Sequence, residues 1–265
     1  VVAEQLGLPV TQPEDVNASD FVETLRRWKA DLLVVADFGQ ILSPAALSTT
    51  RMGGINVHAS LLPKYRGAAP VAWAIYHSEP ETGVSIIQMT PLLDAGGVIL
   101  RRAIPIDPNE TASGLEERLA QLGGEMAIEA VDLLERGEAQ PVPQAQELVT
   151  KAPRLKKEDG RIEWSRSARQ IHDQVRGMNP WPVAYTFWPP TEVAENRVLV
   201  VRTQVAETSR NAPAGEVVSV GKEGLVVSTG RGGILLAEVK PAGRKGMTGE
   251  EFARGARIQV GDRFA

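Results

Sequence analysis

Apolar and polar positions follow two different rhythms along this chain. In the first half, short apolar runs alternate with stretches whose apolar residues recur every three or four positions. Phe21 to Ala30 has the helical spacing, and Asp31-Leu-Leu-Val-Val-Ala36 follows as a continuous apolar run. A run of that kind between helices predicts a strand of a parallel sheet covered on both faces. Gly54–His58 predicts a second strand, Gly83–Met89 a third, and Gly97–Leu100 continuing towards Ile106 a fourth. Ala68–Tyr76, between the second and third, suits a short helix. The opening VVAEQLGLPV reads as the end of a helix running into a strand. Ser113-Gly-Leu-Glu116 has the spacing of a capping box, in which the Ser oxygen takes an orphan N–H and the Glu reaches back. Leu115, Leu119, Leu122, Met126, Ala130 and Leu133 then recur at threes and fours, predicting an amphipathic helix that ends near Gly137.

The β-α-β alternation up to this point predicts an open α/β sheet. Pro141-Val-Pro143 and the stretch to Pro153 predict a linker, residues 141–155, after a first domain of residues 1–140. The rhythm then changes. One helix, Ser167 to Arg176, precedes Asn179-Pro-Trp-Pro182, and short strands cut by Gly and Pro follow. Arg197–Thr203, Gly215–Val220, Gly224–Ser228 and Gly233–Val239 are the clearest, so residues 156–265 predict a small β-barrel or sandwich.

Composition narrows the function classes. With no Cys in 265 residues, disulfides, thiolate catalysis, Cys-ligated zinc and iron–sulfur clusters are excluded, and three His leave little for a His-rich metal site. No apolar run approaches the roughly 20 residues of a membrane span, and no positively charged, apolar leader opens the chain. A soluble, cytoplasmic protein is expected. Residues 1–150 carry 10 Lys and Arg against 20 Asp and Glu, whereas residues 151–265 carry 19 against 13. An acidic part joined to a basic one suggests two domains with different partners, and the basic part could meet a polyanion.

The densest chemistry lies in Gly54-Ile-Asn56-Val-His58-Ala-Ser60-Leu-Leu-Pro63-Lys-Tyr-Arg66-Gly67. Asn56 and His58 are two apart in a predicted strand, so both side chains leave the same face. The end of a strand is also where open α/β sheets place their ligands. Asp94, in the Gly-bounded turn Leu93-Asp-Ala-Gly-Gly97, could orient a His. Each residue also has a purely structural reading, as a hydrogen-bonded strand end or a turn former. His77 and His172 are expected on the surface, and Trp181-Pro182 in packing and turns.

NVHASLLPKYRGAAP (56–70), followed by ETGVSIIQM (81–89) and LDAGG (93–97), resembles the folate-dependent formyltransferases. Asn56, His58 and Asp94 fall on that superfamily's three catalytic positions. Arg66-Gly-Ala-Ala-Pro70, Asn179–Pro182, KPAGRKGM (240–247) and the basic second half look most like the methionyl-tRNA formyltransferase family. The resemblance implies a Rossmann-like open sheet, N-terminally incomplete, followed by a small OB-like β-barrel that packs on tRNA. It implies 10-formyltetrahydrofolate as formyl donor and the α-amine of initiator methionyl-tRNA as acceptor, with no metal. Ser60, Leu61, Leu62 and Pro63 would line the tetrahydrofolate site, and Gln40-Ile-Leu42 would be a further pterin-contacting segment. Family members carry leading strands and a tRNA-entering basic loop ahead of the position of Val1, so an exposed apolar sheet edge is expected here.

Formyl transfer needs a neutral attacking amine, a stabilised oxyanion and a proton for the leaving nitrogen. The Asn56 amide and a protonated His58 suit the oxyanion, and Asp94 suits orienting His58 and relaying a proton through water. A small-amine or sugar-nucleotide acceptor is the alternative enzyme, and a non-catalytic tRNA-binding fragment the alternative class. A monomer away from membranes is expected.

Overall fold

The computed structural model describes residues 2–208 and 212–265. Its elements run α1 (Val2–Gln5), α2 (Ser19–Trp28), β1 (Leu33–Ala36), α3 (Pro44–Leu47), β2 (Gly54–His58), β3 (Arg66–Gly67), α4 (Pro70–Tyr76) and β4 (Glu81–Gln88). After these come β5 (Val98–Pro105), α5 (Ala112–Glu135), β6 (Lys151–Ala152), α6 (Ala168–Gly177), β7 (Ala184–Phe187) and β8 (Arg197–Ala206). The chain ends with β9 (Val217–Gly221), β10 (Gly224–Ser228), β11 (Gly233–Pro241), β12 (Met247–Thr248) and α7 (Gly249–Ala256). Of the opening helix-to-strand expectation, Val1 lies outside the described residues. Residues 2–5 are helical, but Leu8 and Val10 are exposed and join no sheet. Without strand partners nothing offsets the entropy of holding them extended.

Two compact units divide the chain. One holds the residues up to Arg66 with Val84–Arg102 and Leu122–Thr150; the other holds Gly67–Gly83, Ala103–Gln121 and Lys151–Ala265. These units do not follow the linear order of the sequence, because α4 and the first part of α5 pack with the C-terminal residues.

In the first unit the sheet order is β1-β2-β4-β5. β1 and β2 are parallel, with Ala36 beside Val57, but β2 and β4 are antiparallel, with Ile55 beside Gln88 and His58 beside Ser85. The parallel sheet expected from the apolar runs is therefore mixed. The chain leaving β2 re-enters at the same end of the sheet, so β4 needs no crossover. β1 lies at the sheet edge and alternates rather than being covered on both faces, leaving Val34 53% exposed. Val16, Val22, Leu25, Leu42 and Ala46 form a core under α2 and α3. The α2 helix stops at Lys29, whose φ of 52° is left-handed. The helix α5 begins two residues before the sequence reading. The Gly114 N–H meets the Thr111 hydroxyl at 3.4 Å, so Thr111 rather than Ser113 caps it. At the other end Gly137 takes a φ of 69° and closes it as expected.

In the second unit an antiparallel sheet runs β7-β8-β11-β10-β9, with β12 paired to β11. Four of these strands match the runs read from the sequence. The core joins Ile171 and Val175 of α6, Val198 and Val200 of β8, Leu225 and Val227 of β10, Ile234, Leu236 and Val239 of β11, and Phe252 of α7. Ser167 caps α6 in a box with Gln170, and Thr248 caps α7 in a box with Glu251. His172, expected on the surface, is buried. Its Nε2 bonds the Pro108 carbonyl at 3.2 Å and its Nδ1 lies 3.0 Å from the Thr203 hydroxyl. The helix that carries it is charged, but this face turns inward and its polar groups are paired.

Candidate functional site

Strand β2 carries two polar residues towards its end, Asn56, which is partly buried, and His58, which is buried. Asn56 and His58 leave the same face, two residues apart, as the alternation requires. Asp94 reaches them from the turn between β4 and β5. Its backbone sits at φ 48°, a left-handed conformation that Asp tolerates better than most residues. Asn56 Nδ2 donates to Asp94 Oδ1 at 3.3 Å, and His58 Nδ1 lies 3.7 Å from Asp94 Oδ2. The three residues singled out from the sequence are thus brought together. His58 and Asp94 side chains are only 6% and 8% exposed.

The other ring nitrogen of His58 fixes its tautomer. Nε2 is 2.9 Å from the Tyr65 carbonyl oxygen, which can only accept. Nε2 therefore carries the hydrogen, and Nδ1 is the atom left to gain or give a proton beside Asp94. Asn56 keeps its second amide hydrogen, since the first goes to Asp94. One face of the cluster thus offers an amide donor and a titratable nitrogen with a carboxylate behind both.

The 60–63 loop is held by its own polar groups. Ser60 Oγ donates to the Lys64 carbonyl at 2.7 Å, Ser85 Oγ donates to the Ser60 carbonyl at 2.7 Å, and Leu62 N donates to Ser85 Oγ at 3.0 Å. Arg101 Nη1 adds a bond to the Leu62 carbonyl at 3.0 Å. Ser60 and Leu62 are fully enclosed, so Leu61 and Pro63 present the loop's accessible surface. Gln40 takes the Val16 N–H on its oxygen and donates to the Glu14 carbonyl, while Leu42 is buried; only Ile41 of that segment is exposed.

Several residues around the cluster escaped the sequence reading. Gln144 Nε2 donates to the carbonyls of Asp94 and Gly96, both at 2.8 Å, and its Oε1 accepts from Arg66 Nε and Nη2 at 3.0 and 2.7 Å. Thr150 Oγ1 accepts the Tyr65 N–H at 2.8 Å. Both lie in the stretch read as a linker. Ser85 had a legible signal, since a lone hydroxyl inside an apolar strand must find a partner; a Gln among prolines carries none.

His77 is exposed as expected, and desolvation lowers its pKa, with Glu79 opposing. Burial also lowers that of His172, against the raising effect of the Pro108 carbonyl. A cavity of about 610 Å³ opens between Ser167, Arg169, Val205 and Arg231, and none of the Asn56, His58 and Asp94 cluster lines it. Among the described residues no group of three or more His, Cys, Asp or Glu could hold a metal ion, and no helix is long and apolar enough to cross a membrane.

Comparison with known proteins gives a consistent picture. A family model described as formyl transferase matches residues 2–131, and one described as formyl transferase, C-terminal domain, matches residues 154–257. The methionyl-tRNA formyltransferase of Citrifermentans bemidjiense is 45% identical over 261 residues, covering 98% of this chain and 80% of that protein. That of Bacillus subtilis is 40% identical over 257 residues, covering 97% and 80%. Among solved structures, HypX from Aquifex aeolicus in complex with tetrahydrofolic acid aligns with a TM-score of 0.66 at 19% identity, over 90% of this chain and 41% of that one. WlaRD, a sugar 3N-formyl transferase solved with dTDP and 5-N-formyl-THF, aligns at 0.64 and 19%, over 92% and 81%. The two structures share the fold.

Proposed function

This chain belongs to the methionyl-tRNA formyltransferase family, and from that premise we propose that Asn56, His58 and Asp94 carry its reaction. The activity is formylation of methionyl-tRNA, with a folate-derived formyl donor, giving the formylated initiator used in translation initiation. We take the donor as 10-formyltetrahydrofolate and the acceptor as the α-amine of initiator methionyl-tRNA. The observation that carries the site assignment is the Asn56–Asp94–His58 cluster at the end of β2.

The chemistry follows from the donors and acceptors present. The neutral amine forms a bond to the formyl carbon, and the C=O π electrons move to oxygen. The free Asn56 N–H stabilises that oxyanion, with Nδ1–H of a protonated His58 as the second donor. Removing one such donor typically costs ~10²–10³ in rate. The bond from the formyl carbon to the folate nitrogen then breaks, that nitrogen takes a proton, and the former amine loses one. His58 Nδ1 is the group placed to move a proton, and the Asp94 carboxylate balances the imidazolium while it lasts. Because Nε2–H is engaged by Tyr65, the ring cannot rotate to present its other nitrogen without losing that bond.

The loop of Ser60, Leu61, Leu62 and Pro63 is read as the tetrahydrofolate-binding wall, its shape set by Ser60 and Leu62 and its surface by Leu61 and Pro63. Residues 1–140 are read as the catalytic domain, 141–155 as the connection and 156–265 as the part that meets tRNA phosphates. The gap between the two family matches, residues 132–153, and the basic balance of residues 151–265 support that division. The reading extends to a monomer acting in the cytoplasm, away from membranes. An acceptor-competition assay tests it: with 10-formyltetrahydrofolate, charged initiator tRNA should be formylated in preference to an amino-sugar nucleotide. Preference for the small amine would refute the acceptor assignment.

A further inference from the structure

We propose that Gln144 and Thr150 are positioning residues that hold the two halves of the catalytic cluster in register, an inference that rests on the assignment of Asn56, His58 and Asp94 above. Gln144 is buried and its amide is fully used. Both hydrogens go to backbone carbonyls, of Asp94 and Gly96, and the oxygen takes two bonds from the Arg66 guanidinium. Flipping the amide would set oxygen against two carbonyls and NH₂ against two guanidinium N–H groups, so the partners allow one orientation. The residue gripped in this way is the one with left-handed backbone, φ 48°. That conformation is uncommon for a non-glycine residue, even one as tolerant of it as Asp, and the bonds to Gln144 help to hold it. With the carbonyls at 94 and 96 pinned, two side-chain torsions set the direction of the Asp94 carboxylate.

Thr150 does the same for the other half. Its hydroxyl accepts the Tyr65 N–H at 2.8 Å and its carbonyl accepts the Arg66 N–H at 2.9 Å. Tyr65 has a φ of 62°, again left-handed, and its carbonyl receives His58 Nε2–H. Thr150 thus fixes the acceptor that fixes the tautomer of the ring. Arg66 closes the loop, with its backbone on Thr150 and its guanidinium on Gln144. Two residues six apart therefore set both sides of the 3.7 Å gap between His58 Nδ1 and Asp94 Oδ2. Neither faces the reacting atoms, so both act through the residues they hold.

The test is steady-state formyl transfer by the full chain, with thermal unfolding alongside, for wild type, Gln144→Glu, Gln144→Met, Thr150→Val and His58→Ala. Gln144→Glu keeps the size and the Arg66 partner but turns two donor bonds into oxygen–oxygen contacts. Gln144→Met keeps the length and donates nothing. Misplacement of a catalytic group by about 1 Å can cost about 10²-fold in rate. Both Gln144 variants should lose kcat on that order, with KM for folate and tRNA changed less than about twofold. Thr150→Val should lose less, in the same direction. Either Gln144 variant with wild-type kcat, beside a crippled His58→Ala, overturns the inference and leaves the site assignment standing. A parallel fall in kcat, substrate affinity and unfolding midpoint in both Gln144 variants overturns it too, since that is a purely structural role. Wild-type turnover in His58→Ala overturns the site assignment and the inference with it.

Discussion

Replacing Gly96 by Ala puts one methyl group where the turn that carries Asp94 presses on β4. A Cβ at that position would lie 1.6 Å from the Gln88 carbonyl oxygen and 2.8 Å from its carbon. An ordinary carbon–oxygen contact is about 3.3 Å, so something must give by about 1.7 Å. β4 is the poorer candidate, because it is paired to β2 and its Ile86 and Ile87 are buried. The turn moves instead, and Asp94 moves with it. The 2.8 Å bonds from Gln144 to the Asp94 and Gly96 carbonyls cannot both survive such a shift. A displacement beyond about 1 Å predicts a fall in kcat of about 10²-fold, and overpacking of this kind costs about 1–3 kcal/mol of stability. Steady-state formyl transfer and thermal unfolding measure the two effects. Gly124→Ala is the control: that helical position has open space around it, and the exchange should raise stability by up to about 1 kcal/mol without touching kcat. A folded Gly96→Ala protein with wild-type kcat would refute the claim that this turn positions Asp94.

Asn56→Ala should lower kcat ~10²–10³-fold by removing the amide donor, with the unfolding midpoint little changed, as kinetics and melting on one preparation would show. Arg176→Met should destabilise the second unit. It leaves Asp173, fully buried, without the guanidinium whose Nε lies 2.7 Å from it. Breaking such a pair costs about 3–5 kcal/mol by denaturant titration, reduced here by the Ser78 and Arg169 bonds that Asp173 keeps. Stability should also fall in mild acid through His172. Burial depresses its pKa below the ordinary 6.5, so the unfolded chain binds a proton that the folded protein resists. The contribution is complete above pH 6.5 and is lost as the pH drops from there towards the folded value. Urea titrations at pH 7.5 and 5.5 should show the difference in wild type, and His172→Gln should shrink it.

Asn56 and His58 were legible because a strand's two-residue period dictates a shared face, whatever surrounds it. Asp94 was legible as a turn residue, but its approach to that face depends on how β4 and β5 return, which no local pattern encodes. The apolar runs mark four strands of the first sheet, but the parallel direction expected of them fails at β4, since a buried strand reads the same either way. At α5 the capping signature pointed to Ser113 where Thr111, two residues earlier, does the work. The same signature at Thr248-x-x-Glu251 passed unread although it caps α7. His172 looked solvated because its neighbours are charged, yet Asp173, Gln174 and Arg176 are buried with it and satisfy one another or the backbone. Gln144 and Thr150 were invisible for a different reason. Their significance lies in which carbonyls and N–H groups they meet, and those belong to residues about 50 and 85 positions away in sequence.

The central claim, that His58 with Asp94 and Asn56 performs the transfer, is tested most directly by comparing wild type with His58→Ala in a formyl-transfer assay using 10-formyltetrahydrofolate and charged initiator tRNA. Loss of both the proton-carrying nitrogen and one oxyanion donor predicts a fall in kcat of at least ~10²–10³-fold, with folding preserved. Equal turnover by a folded His58→Ala protein would contradict the account.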